Sequence, residues 1–341
     1  MKVAIHPRET GFSDYWIDYC NKKNIDYKVV NAFDSDIIQQ LQDCDLFLWH
    51  HHHAHYKDVI MAKKILFALE QAGVKVFPDF KTGWHFDDKV AQKYLLEAIE
   101  APLVPSYVFY DKKKAKAWAK KTNYPKVFKL KGGCGASNVK LVKTEKSALK
   151  LIKKSFGKGF SQFNRFEHLN ERLRKYVNGK SSATFVLKGV ARLFITTDFN
   201  KQQPPERGYV YFQDFIPSNN FDTRVVVVDG KKAAAEKRFV RKNDFRASGS
   251  GNFSYDDINI EIIKISFEVA KNLKLQSVAF DFVLDENNKP LIVEMSYGFG
   301  TDGIAGSPGY WDDKLNWFAS DVASERWIIE SLLNKNENIT S

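Results

Sequence analysis

The stretch 279–296, "AFDFVLDENNKPLIVEMS", decides how this chain is read. Two apolar runs flank a turn at Asn287 and Asn288, so the segment is expected to form a β-hairpin. Asp281 lies on its first strand and Glu294 on its second. Across a hairpin, carboxylates on one face converge while their apolar neighbours bury the other. Hard oxygen ligands of this kind suit Mg²⁺ bridging nucleotide phosphates. The plainer alternative is a pair of solvated strand carboxylates.

Upstream, "YPKVFKLKGGCGASNVKLV" places Lys129 near the end of an apolar strand, followed by Gly132, Gly133 and Gly135. Glycines let backbone N–H groups close around phosphate oxygens without a Cβ clash. The pattern is neither GxxxxGK[ST] nor a strand-to-helix GxGxxG, so the two best-known phosphate fingerprints fail. What remains is a strand-to-strand glycine flap, with an ordinary hairpin turn as the alternative. Cys134 within it reads as small filler rather than a nucleophile, because no histidine is close in sequence. Between these segments, "YVYFQDFIP" is an apolar strand interrupted by Gln213 and Asp214. Such a strand can present main-chain groups to an adenine edge.

In this order and spacing, the three segments resemble the ATP-grasp superfamily over roughly residues 85–300. The resemblance is to carboxylate–amine ligases of the D-alanine–D-alanine ligase and ribosomal-protein glutamate ligase type. It implies an α/β chain with a Rossmann-like parallel-sheet domain over residues 1–85. Two α+β subdomains clasping ATP would follow: residues 86–207, with the flap and a basic insertion, and residues 208–341, with the metal-binding hairpin. By the same resemblance Lys89, in "FDDKVAQKYLLEAIEAPLVPSY", and Lys129 contact phosphates. Gly132, Gly133, Gly135 and Ser137 belong to the flap, and Gln213, Asp214, Phe215 and Ile216 form the adenine hinge. Asp222 contacts ribose or supports the site. Asp281 and Glu294 hold Mg²⁺, with Mn²⁺ as an alternative. Ser296 stands where the family usually has Asn, and "YGFGTDG" replaces the usual Pro-Gly, which points to different acceptor chemistry.

The implied reaction is formation of an amide through an acylphosphate, on small and anionic carboxylate and amine substrates. Relatives that modify surface glycans or peptides set the expectation for the acceptor. The alternatives are a phosphotransferase on the same fold acting on a hydroxyl, and a non-catalytic ATP-binding regulator. Arg224 and Arg238, on strands expected to face one another, are the candidates for steadying the acylphosphate or gripping a substrate carboxylate.

The first 85 residues alternate strand-like and helix-like runs, as expected for a parallel sheet with right-handed crossovers. A helix is expected over "DSDIIQQLQDC" (34–44), capped by Asp34 or Ser35, and another is expected to stop at Gly73. The run "FLWHHHHAH" (Phe47–His55) follows the third strand, at the carboxyl end where open sheets bind ligands. It is expected to line the rim of an acceptor pocket with His6 and Arg8. A metal site is the weaker alternative, because Asp58 appears distant and no other ligand has suitable spacing.

The 341 residues are 44% apolar and 27% charged, an ordinary globular balance. Three scattered cysteines fit a reducing compartment and no disulfide framework. No apolar run is long enough to span a bilayer, and Arg8 and Glu9 interrupt any signal-peptide core, so a cytoplasmic protein is expected. The net charge of +11 is spread along the chain with no nucleic-acid module, which favours an anionic small molecule over nucleic acid. The basic stretch 159–207 is expected to shape the acceptor site or a homodimer contact.

Overall fold

The computed structural model describes residues 1–132, 138–161, 169, 172–173, 176, 182–194, 204–241, 244–247 and 251–334. The chain divides into two units, one of Met1–Phe86, Ala91–Leu103 and Ile216–Ser341, the other of Asp87–Val90 and Val104–Phe215. The first unit thus takes in residues from both ends of the chain.

In the first unit, β1 (Val3–Ile5), β2 (Tyr27–Val29), β3 (Leu46–Leu48) and β4 (Lys75–Phe77) form a parallel sheet in the order β2-β1-β3-β4. β1 and β3 are buried throughout, which is why they read as continuous apolar runs. The crossovers carry α1 (Ser13–Lys23), α2 (Ile37–Gln40) and α3 (Tyr56–Gln71). α3 stops as expected, with Gly73 at φ +86° just past its end. α2 is one turn rather than the expected three. Asn31 donates to Asp34 at 2.6 Å and Gln40 to Asp36 at 2.9 Å, and neither Asp34 nor Ser35 is the cap. Short polar side chains here satisfy one another in a turn instead of starting a helix. Two helices follow, α4 (Phe80–Gly83) and α5 (Lys89–Ala98).

The second unit contains β5 (Ser106–Phe109), α6 (Lys112–Ala119), β6 (Lys126–Lys129), β7 (Lys140–Val142), α7 (Glu145–Ser155), α8 (Ala183–Phe194) and β8 (Val210–Asp214). Its sheet is antiparallel in the order β5-β8-β6-β7. Phe128, Val142, Val210 and Phe212 pack with Ala115, Ala119, Ala148 and Ile152 from α6 and α7. Asp111 and Thr144 cap those helices through their side chains.

The chain returns to the first unit with β9 (Phe221–Val228), β10 (Lys232–Phe239), β11 (Phe253–Ser254), α9 (Ile260–Leu273), β12 (Ser277–Leu284), β13 (Pro290–Ser296), β14 (Gly309–Asp312), β15 (Trp317–Ala319) and α10 (Ser324–Asn334). Its antiparallel sheet runs β13-β12-β9-β10-β14-β15, with β11 also on β10. Strand alternation sorts the side chains into two cores. Val225, Val227, Ala233, Ala235, Val278 and Phe280 pack with the apolar face of α9. Val226, Val228, Ala234 and Ala279 point the other way, into the cluster that holds Val3, Ile5, Trp16, Leu46 and Leu48. Burial on both faces makes this sheet the rigid platform of the unit. Among the described residues, no helix is long and apolar enough to cross a membrane.

Candidate active site

On the face of the large sheet that carries Val226, Ala234 and Ala279, the next positions along the strands are charged. Glu236 on β10 stands opposite Arg224 on β9, Arg224 opposite Asp281 on β12, and Asp281 opposite Glu294 on β13. Four adjacent strands thus carry Glu, Arg, Asp and Glu in one register row. The register shifts at the Asp281–Phe282 step, whose partners are Glu294 and Ile292, as at a bulge. Bulges of this kind re-aim side chains beside functional sites.

Arg224 grips Asp281 with two bonds, Nε to Oδ1 at 2.8 Å and Nη2 to Oδ2 at 3.0 Å. Arg238 does the same to Asp222, at 2.7 and 2.6 Å, and its Nη2 also lies 2.8 Å from Oδ2 of Asp281. The arginines expected to face substrate are therefore committed to the acids of the site. Burial alone would raise the Asp281 carboxyl; Arg224 and Arg238 overcome this and hold it well below the usual range. For Asp222 burial wins, and its carboxyl is raised despite Arg238. Asp222 supports the network rather than standing apart from it.

A carboxylate offers about four lone-pair sites. The arginines take one on Oδ1 of Asp281 and crowd Oδ2, which leaves Oδ1 the more open oxygen. With Glu294 opposite, the donor set is two hard carboxylates, which fits an ion that draws its other ligands from phosphates and water. Ser296 lies two positions past Glu294 on the same strand face, and its Oγ accepts a bond from the Gly298 amide at 3.2 Å.

Glu236 was passed over by sequence reasoning. It is 2% exposed, and its Oε2 meets no hydrogen-bond partner among the described residues. Burial pushes its carboxyl up to about 6, against the pull of Arg224 and Arg238. Its closeness to Arg224 follows from the β9–β10 pairing, and no local motif announces it.

The second unit holds the other expected residues. Lys129 is buried, and its Nζ donates to Gln213 Oε1 at 2.6 Å. Gln213 in turn donates to Ser106 Oγ at 3.1 Å, and Lys126 pairs with Asp214 at 2.5 Å. β8 is paired on both sides, so the main chain of Gln213 and Asp214 lies inside a ladder rather than along an open edge. Phe215 and Ile216 follow at the point where the chain leaves one unit for the other. Lys89 is buried at the start of α5, and its amide donates to the Lys131 carbonyl at 2.9 Å.

The glycine loop does join β6 to β7, strand to strand. Gly133, Cys134, Gly135 and Ser137 lie outside the described residues; Gly132 is described. Its amide donates to Glu206 Oε1 at 3.3 Å, and the Lys131 amide donates to Glu206 Oε2 at 3.2 Å and to Tyr209 Oη at 2.7 Å. Tyr209 also donates to Glu206. Glu206 and Tyr209 thus fix the entrance to the loop, and both escaped the sequence reading.

Within the histidine run His50 and His51 are buried, His52 and His53 are half-buried and His55 is exposed; outside it, His6 and His85 are buried. His50 stacks on Phe12 with centroids 3.6 Å apart, and its Nδ1 accepts the Phe12 amide at 3.2 Å. Arg8 donates to the His50 carbonyl at 3.0 Å, and Tyr297 donates to the His51 carbonyl at 2.8 Å. Burial, reinforced by nearby cations, pushes the imidazoles of His50 and His51 well down and that of His52 to about 3. Asp58 is close after all, accepting from the His52 amide and meeting His55 Nδ1, both at 2.7 Å. Among the described residues, no group of three or more His, Cys, Asp or Glu side chains is arranged to hold a metal.

The RimK-like ATP-grasp domain model matches residues 203–309, which contain the whole charged row. No curated protein matches the chain. Among solved structures, a RimK-domain ATP-grasp protein from Sphaerobacter thermophilus DSM 20745 is similar at 16% identity and a TM-score of 0.57, covering 90% of this chain and 94% of its own. D-alanine–D-alanine ligase from Bacillus anthracis complexed with ATP is similar at 13% identity and a TM-score of 0.56, with 99% of both chains covered. The ATP-grasp ligase PsnB, complexed with minimal precursor, Mg and ADP, is 11% identical with a TM-score of 0.56, over 99% of this chain and 98% of its own. Such identities speak to fold, and here fold and domain model agree: residues 203–309 match a RimK-like ATP-grasp domain, and the fold of the chain is similar to that of ATP-grasp ligases.

Proposed function

We propose that this protein is an ATP-dependent carboxylate–amine ligase that forms an amide through an acylphosphate. The observation that carries the reading is Asp281, kept ionised by two arginines and set directly opposite Glu294. It is joined by the likeness in fold to ligases.

Phosphoryl transfer asks a protein for positioning and charge neutralisation more than for covalent help. Lys89 and Lys129 neutralise the nucleotide phosphates. Asp281 and Glu294, with Ser296 beside them, would hold Mg²⁺, which when bound would offset charge on the transferring phosphoryl group. The substrate carboxylate attacks the γ-phosphorus, ADP leaves, and an amine then displaces phosphate from the acyl carbon. Arg224 keeps its cationic head at the Asp281 end of the row, where it stabilises the oxyanion of the tetrahedral adduct. Small anionic substrates agree with the net charge of +11.

The test is product analysis by mass spectrometry with ATP, Mg²⁺ and pooled carboxylates and amines, comparing wild type with Glu294→Ala. An amide with ADP and phosphate, lost in the variant, is expected. A stable phosphoryl ester would make the protein a kinase, and ATP binding with no product would make it a regulator.

A further inference from the structure

The row on the large sheet does not end at Arg224. Its last member, Glu236, is one strand beyond Arg224 on the side away from Asp281 and Glu294. Strand spacing puts it about 10 Å from the Asp281 strand and about 14 Å from the Glu294 strand. Arg224 turns its Nε and Nη2 to Asp281, and the carboxylate across from it keeps Oε2 with no hydrogen-bond partner among the described residues. A buried polar atom left in this way is costly and is usually retained for a ligand or for chemistry.

The surroundings are built for this carboxyl. A Cβ at Gly303 would collide with Glu236 Oε2, so the main chain after β13 passes directly over the carboxyl. Tyr255 pins that crossing by donating to the Gly303 carbonyl at 2.7 Å. Shielding from bulk water strengthens the attraction of a carboxylate for a cation. Arg224 and Asp222 on β9, Arg238 on β10, Asp281 on β12 and Tyr255 after β11 are the charged and titratable groups around it.

We propose that Glu236 is the catalytic base that receives the acceptor's ammonium and takes its proton. This rests on the ligase reading. The row then orders the reaction: phosphates at Asp281 and Glu294, the acyl group over Arg224, the amine at Glu236. One proton passes from the ammonium to the Glu236 carboxylate, and the freed lone pair forms the C–N bond. The acyl C–O bond breaks, its electron pair leaves with phosphate, and phosphate takes the second proton from nitrogen. A base near neutrality matches the task, and the raised Glu236 carboxyl is in that range.

The experiment uses hydroxylamine, which is unprotonated at neutral pH and needs no base, beside the amine found by product analysis. Glu236→Gln is expected to lose amide formation by about 100-fold or more while ATP-dependent hydroxamate formation falls less than about threefold. Glu236→Asp is expected to restore part of the amide rate, and the rising limb of the amide pH profile near pH 6 is expected to vanish in Glu236→Gln. Equal loss of both products, with a normal thermal melt and normal MgADP affinity, would overturn the proposal and make Glu236 a structural acid. If the wild type makes neither amide nor hydroxamate, the ligase reading fails first and this inference falls with it.

Discussion

Arg224 and Asp281 are joined by two parallel N–H···O bonds, and Arg238 approaches the same carboxylate from the next strand. A fork matched to a carboxylate fixes orientation as well as charge, which a lysine cannot do. Arg224→Lys is therefore expected to lower turnover by at least about tenfold, with little change in the thermal midpoint. Asp281→Asn takes the carboxylate from Arg224, while Arg238 keeps Asp222, and is expected to cost about 3–5 kcal/mol in urea unfolding. Arg224→Met with Asp281→Leu is expected to regain most of that stability and no ATP-dependent product. Recovery of product in the double variant would remove the pair from the chemistry. The sign with pH follows from the lowered Asp281 carboxyl: its contribution is complete above the unfolded value of about 3.9 and is lost as pH falls toward the folded one.

Glu206 holds the amides of Lys131 and Gly132 at the mouth of the glycine loop. Gly132 is buried, and removing the partner of a buried amide costs about 1–3 kcal/mol. Glu206→Ala is expected to lower stability by that amount and to speed hydrogen exchange at residues 131 and 132. It is also expected to weaken ATP binding in titration calorimetry, because the loop no longer starts from a fixed point. Unchanged exchange at both amides would show that the carboxylate does not anchor the loop.

What could be read in the sequence was local. The Asp281–Glu294 pairing was legible because Asn287–Asn288 marks the turn and the apolar period marks the faces. The all-parallel sheet was legible because β1 and β3 are unbroken apolar runs. What depended on distant strands was not legible. Gln213 reads as lying on a strand that offers main-chain groups to an adenine edge, yet β5 and β6 flank it on both sides. Glu236 became a member of the row only through β9 and the Gly303 crossing. The histidines read as the rim of an acceptor pocket, and the ring partners that Phe12, Phe86 and Tyr297 supply to His50 and His51 from elsewhere in the chain were not legible.

Those buried histidines make acid sensitivity a prediction with a definite sign. A histidine held neutral in the fold contributes fully above its unfolded value of about 6.5, and each loses about 1.4 kcal/mol per pH unit below it. His50 and His51 lie well down, His52 near 3 and His85 near 4. The urea midpoint is expected to fall steeply between pH 7 and 5.5, and His51→Phe is expected to flatten the fall. Added Zn²⁺ is expected to leave the thermal midpoint unchanged; a rise of several degrees would point to a metal centre instead.

Glu236 gives the opposite slope. Its carboxyl is raised from 4.5 to about 6, so the fold disfavours the ionised form. The penalty is absent below about 4.5, where folded and unfolded chains are both protonated. It grows between 4.5 and 6 and is complete above that. The 1.5 units correspond to about 2 kcal/mol. Glu236→Gln is therefore expected to be more stable than wild type by about 2 kcal/mol at pH 7.5 and equal to it at pH 4, in urea unfolding at both values. The crowding at Gly303 supplies the control. Gly303→Ala is expected to destabilise by about 1–3 kcal/mol, and the loss is expected to shrink when Glu236→Ala opens space for the added methyl. A carboxyl that lowers stability at neutral pH, and whose Oε2 meets no hydrogen-bond partner among the described residues, needs a ligand to account for it. A Glu236→Gln variant less stable than wild type at pH 7.5 would show instead that the charge serves the arginines beside it.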